Sequence, residues 1–247
     1  MIAATLLPLL LAVGAPVVTT AVDGKETITA SVVAADEDKE AARWKRINEI
    51  HARSRSGHPA EALPQVEALI AEYEAQYPPG SVRWYVARDI AESLAYSLLA
   101  TRELEGSGQA SARVLTGVAW ADAYFVKGWA LLELRRTDEA RAALDRALQL
   151  APYSSEYLIE RAEVAKIERK WDEAMRDYVA AADFVAFSPE RDRKGVQAQA
   201  MRGQAFVHIE RGDLDAAEEI LEACLKLDAS DARAKEELAY IAKLRKP

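Results

Sequence analysis

Shifting the chain against itself by 34 residues aligns Ala121–Ser154 with Ser155–Ser188, so that Asp138-Glu139-Ala140 falls on Asp172-Glu173-Ala174. Within these blocks Leu144 matches Tyr178, and Ala147 matches Ala181. After nine further residues, Ala198–Asp231 repeats the pattern with Asp215-Ala216-Ala217, Leu221 and Cys224. The same frame continues through 232–247 as one more helix. An ordinary helical bundle also spaces apolar residues by three and four, but it gives no reason for one tripeptide to recur at a fixed offset. A period of this size marks stacked supersecondary units, each packing on its neighbours. Half of the residues are hydrophobic and only 11 are Gly and 9 Pro. That composition favours helices, since Gly and Pro are their main breakers.

The first block, ADAYFVKGWALLELRRTDEARAALDRALQLAPYS, places Tyr124, Gly128, Leu131, Ala140, Leu144, Ala147 and Pro152 at signature positions. In these residues it resembles the tetratricopeptide repeat, a 34-residue helix–turn–helix. The resemblance implies an all-α fold, a right-handed superhelical solenoid of antiparallel helix hairpins. Small residues at Gly128, Ala162 and Ala205 would face Ala140, Ala174 and Ala217, with Leu144, Tyr178 and Leu221 filling the gap to the next hairpin. The chain departs from the pattern at Lys127, Arg161 and Gln204, where the family carries Leu, and at His208, where a large apolar residue is usual. The repeats are expected at 121–154, 155–188 and 198–231, followed by a capping helix at 232–247. The charged segment at 189–197 reads as an inserted loop.

Ahead of the blocks, 37–56 and 59–76 form a hairpin around Gly57-His58-Pro59. Leu63, Val66, Leu69, Ile70 and Tyr73 make an apolar stripe on its second helix. A helix from about Ser81 to Glu105 follows, with Ile90, Leu94 and Leu98 spaced for one face, and Gln109–Trp120 reads as a shorter partner. Residues 37–120 are therefore expected to be degenerate hairpins that cap the array. Residues 1–21 are almost free of polar groups and resemble a secretory signal peptide, with Thr19-Thr20-Ala21 before a cut and 22–36 as a flexible lead-in. That reading predicts export to the periplasm. An uncleaved membrane anchor and a cytoplasmic protein are its alternatives.

The formal net charge is −8, and no Lys/Arg stripe is present, which argues against nucleic-acid binding. A single cysteine, Cys224, excludes an intrachain disulfide. No nucleophile elbow, phosphate loop or ligand cluster occurs, so no cofactor, metal or enzymatic activity is expected. His51, His58 and the carboxylates are the only groups on which an enzyme reading could draw. In the family, the first helix of each repeat lines a concave groove. Carried over position by position, the resemblance nominates Phe125, Trp129, Ile159, Phe206 and Ile209 as an apolar floor, with Lys166 and Arg202 as charged rims. The Lys/Asn/Lys/Arg clamp of the members that hold chaperone C-termini is absent, since Phe125 and Trp129 occupy its first two sites. The expected function is a non-catalytic scaffold that binds a peptide or protein in this groove. Self-assembly through an exposed end of the array is the alternative.

Overall fold

The computed structural model describes residues 17–22, 26–78, 80, 82–104 and 111–246, with side chains from residue 29 onward. Residues 1–16, most of the signal-like segment, lie outside the described residues. The chain divides into two compact units, one of residues 1–136 with 149–151 and one of residues 137–148 with 152–247.

Among its described residues, the first unit holds four strands that the hydrophobic pattern did not announce. They are β1 (Val17–Val22), β2 (Glu26–Val33), β3 (Val82–Ala87) and β4 (Ser111–Thr116), in sheet order β1-β2-β4-β3. β1 pairs antiparallel with β2, with Thr19 opposite Thr29. β2 and β3 both run parallel to β4, which lies between them with Arg113 level with Ser31 and Trp84. Three expectations are corrected here. Residues 26–33 are a strand rather than a lead-in, 82–87 are a strand rather than the start of a helix, and 111–116 are a strand rather than a short helix. Each is rich in β-branched or aromatic residues that suit a pleated surface, and Ala30, Trp84, Tyr85, Val86, Val114 and Leu115 are all buried.

Helix α3 (Ile90–Leu104) packs across the sheet. Its buried face is Ser93, Tyr96, Ser97, Ala100 and Leu104, and Tyr96 stacks on Tyr85 at 5.9 Å between ring centroids. Small side chains let the helix lie close to the strands. Ile90, Leu94 and Leu98 do share one face, but it is the outer one, at 88 %, 51 % and 52 % exposure.

The expected front hairpin is present as α1 (Glu37–Arg55) and α2 (Pro59–Gln76), turning at Gly57 with φ +89°. Pro59 opens α2, where its missing donor costs nothing, and Leu63, Val66, Leu69, Ile70 and Tyr73 are buried. Both helices pack on α4 (Ala119–Glu133). One carboxylate ties them to it. Glu40 of α1 accepts from the Val118 and Ala119 backbone N–H groups, both at 3.0 Å, and from the Tyr73 hydroxyl at 2.5 Å. A carboxylate suits the positive end of a helix. The approach needs Gly117, whose φ is +141° and whose Cβ would lie 2.4 Å from Glu40 Oε1.

The second unit contains α5 (Thr137–Leu150), α6 (Ser155–Ile167), α7 (Trp171–Asp183), α8 (Glu190–Glu210), α9 (Leu214–Leu227) and α10 (Ala232–Leu244). From α6 onward each helix packs on the next. Ala162, Ala174, Tyr178 and Ala181 are fully buried, and Ala205, Ala217, Leu221, Cys224, Ala234 and Ile241 form the core of the last helices. The period recurs in the backbone: six-residue turns close on Arg136 N→Leu131 O, Lys170 N→Ala165 O and Asp213 N→His208 O, at 2.8, 2.8 and 2.9 Å. Such bonds satisfy the last carbonyls of a helix.

The segment 189–197 is not a loop. α8 is 21 residues long and begins at Glu190, so the nine extra residues add turns to its start. Pro189 stands at the N-cap, and Glu190 and Asp192 place negative charge in the first turn.

Candidate functional site

The seven groove residues fall into three groups. Phe125 and Trp129 lie on α4 in the first unit, and both meet the His51 ring of α1 edge-on, at 5.9 and 5.7 Å between centroids. Burial, and secondarily Arg55, holds the His51 pKa below the ordinary histidine value. The His51 ring packs against the edges of these two aromatics. Ile159 and Ile209 are 2 % and 8 % exposed, and Ile209 belongs to the α8–α9–α10 core. They are packed residues, not an open floor.

The remaining three, Lys166, Arg202 and Phe206, come together in the second unit. They line a cleft of about 310 Å³ with Glu163, Gln199 and Arg233, and Glu236 and Glu237 of α10 close its far side. The half-buried Phe206 is the only large apolar side chain in this lining. Lys166 Nζ lies 4.6 Å from the centre of the Phe206 ring and 2.5 Å from Glu163. Arg202 is bound to Asp231, itself the N-cap of α10. It is therefore an anchored wall. Arg233 is exposed and has no ion-pair partner among the described residues. The cleft thus offers one aromatic surface among cations and carboxylates.

Helix α8 can approach this closely because of Gly203. A Cβ there would fall 2.3 Å from the Tyr178 ring, which is fully buried. The Tyr178 hydroxyl donates to Glu163 on the cleft wall, and burial together with that carboxylate keeps the phenol protonated far above its usual range. Gly203 does not stand out in the sequence. The repeat carries no signal there, since the matching positions of the other blocks hold Val126 and Glu160.

The polar departures from the repeat pattern have partners. Arg161 grips Asp177 through two bonds of 2.7 Å and reaches Asp145 at 2.9 Å. That pairing holds its guanidinium above its ordinary pKa, against the opposing effect of burial. Gln204 donates to the Tyr178 carbonyl at 3.2 Å, and Lys127 pairs with Glu67 at 2.9 Å. Cys224 is fully buried, and burial raises its thiol pKa, so it is a small core residue and not a nucleophile in waiting.

Comparison with known proteins agrees with this architecture. The tetratricopeptide repeat profile matches residues 121–154 and again 197–231. The crystal structure of a Podosopora anserina putative kinesin light chain with nearly identical TPR-like repeats superposes with a TM-score of 0.55 at 12 % identity. It covers 83 % of this chain and 87 % of that one. A point variant of that protein superposes equally, covering 83 % and 86 %. The first TPR of Spaghetti (RPAP3), solved with an HSP90 peptide, gives a TM-score of 0.44 at 20 % identity over 50 % of this chain and 91 % of its own. At such identities the likeness is one of fold. Among curated proteins, none matches the chain. Two profile matches and a recurring helix-closing turn show that this chain carries tetratricopeptide repeats at residues 121–154 and 197–231.

Proposed function

We propose that this protein is a non-catalytic interaction scaffold that holds a peptide or protein segment in the cleft between α6, α8 and α10. The observation that carries this reading is the lining itself. Phe206 presents an aromatic surface, Lys166 sits over its ring, and Arg233, Glu236 and Glu237 line the α10 side. An aromatic anchor surrounded by polar groups is how a small part of an interface supplies most of its affinity. Both signs of charge on the rim suit a segment that itself carries acidic and basic residues.

A photocrosslinking residue placed at Glu237 in the native host tests it. A discrete crosslinked protein is expected there and none from the same probe at Arg55, which is exposed on α1 in the first unit. Phe206→Ala should abolish the product while the far-UV spectrum is unchanged. A product that survives Phe206→Ala, or none at Glu237, removes the cleft as the docking surface.

Export to the periplasm is part of the same proposal, supported by the apolar, nearly uncharged run before Val22.

A further inference from the structure

The first unit contains a second cleft, on the sheet face opposite α3. Side chains alternate along a strand, so with Tyr85 turned toward Tyr96, Val82 and Trp84 project from the other face. Arg113 stands beside Trp84 in register, and its guanidinium lies 5.6 Å from the indole centre. Val33 closes one side and Tyr77 and Gln76 another, around a volume of about 370 Å³. That volume is at the small end of the range for ligand pockets, ~300–1,000 Å³.

The aromatic wall is closely packed. The Tyr77 and Trp84 ring centroids are 5.1 Å apart, and the fully buried Trp120 stacks behind Tyr77 at 5.7 Å and meets Trp84 edge-on at 6.3 Å. Its polar groups are donors. The Tyr77 hydroxyl accepts from Gln76 Nε2 at 2.9 Å, which leaves its own proton free to donate, and the Gln76 carbonyl oxygen is already taken by Arg43 at 2.8 Å. Among the described residues, no aspartate or glutamate lines the cleft. Arg113 is exposed and carries no ion pair among the described residues, unlike Arg46, Arg53, Arg141, Arg161 and Arg245. In a chain of net charge −8, Arg113 thus offers a guanidinium over an indole with no ion-pair carboxylate among the described residues.

We propose that this cleft is a ligand site and that it takes a small organic anion with a flat apolar body and one carboxylate. The body lies along Tyr77, Trp84, Val33 and Val82, and the carboxylate meets Arg113, whose planar fork matches two carboxylate oxygens. The site lies wholly within the first unit and does not depend on the groove reading.

The test uses the full chain, 3-phenylpropionate as probe and its neutral analogue 3-phenylpropanol, with the Trp84 indole N–H resonance as readout. The acid is expected to shift that resonance saturably and to bind about tenfold more tightly than the alcohol, the worth of one charge-assisted hydrogen bond. Arg113→Gln should weaken the acid by the same factor and leave the alcohol unchanged. An unmoved Trp84 resonance overturns the proposal. So does equal affinity for acid and alcohol in the native protein, a comparison that needs no variant to fold.

Discussion

At the scale of single residues, the second unit depends on a small residue meeting a large one. Gly203 and Tyr178 belong to neighbouring blocks, and the ring occupies the space a Cβ would need. Because Tyr178 is fully buried and its hydroxyl is engaged by Glu163, the ring has little room to yield. Gly203→Ala is therefore expected to lower stability by about 1–3 kcal/mol, the usual cost of overpacking a filled core. Alanine's better helix propensity offsets under about 1 kcal/mol of that. Denaturant unfolding checks it, and an unchanged midpoint would mean that Tyr178 moves aside freely. Arg161 teaches a related lesson. On the repeat pattern it is a flaw, a charge where leucine is usual, yet it bridges Asp145 and Asp177 and so joins α5, α6 and α7.

Elements were legible in proportion to how local their causes are. The hairpin α1–α2 was read to within a residue or two, because Gly57 and Pro59 punctuate it and the apolar stripe has a helical period. The strands were missed because Val82–Ala87 and Ser111–Thr116 are six residues each, too short for a period to separate strand from helix. Their burial comes from partners far away in sequence. Helix α8 was cut short for a different reason. The run Glu190–Gly195 is polar and exposed and stands outside the 34-residue frame, so no apolar period marks it as helix. Its charged residues are good helix formers with acidic groups in the first turn. Lys194→Pro discriminates the two states directly. In a helix it removes a backbone bond and clashes with the preceding turn, for about 3 kcal/mol; in a loop it would be nearly neutral. Thermal melts of the variant should show the larger loss.

For the whole molecule, the consequential finding is that a sheet precedes the repeats in the chain and that β1 is one of its two edge strands. The cut after Ala21 expected from the signal-like segment would leave only Val22 of that strand. A chain that begins at Pro16 keeps β1, and one that begins at Val22 leaves the side of β2 open, a common route to aggregation. The shorter chain is expected to melt at least about 2–4 °C lower, as a loss of ~1 kcal/mol gives at this size, and to aggregate sooner. Equal melting would show that β1 adds nothing. N-terminal sequencing of the protein from its host then tells whether processing spares the strand. The sequence by itself determined the periodic half, because each repeat is held by contacts within itself and with the next, so its pattern is written every 34 residues. Only the tertiary structure decided the sheet, the burial of Ile159 and Ile209, and the packing of His51 against Phe125 and Trp129. Those depend on segments tens of residues apart meeting in space, and no local spacing records such a meeting.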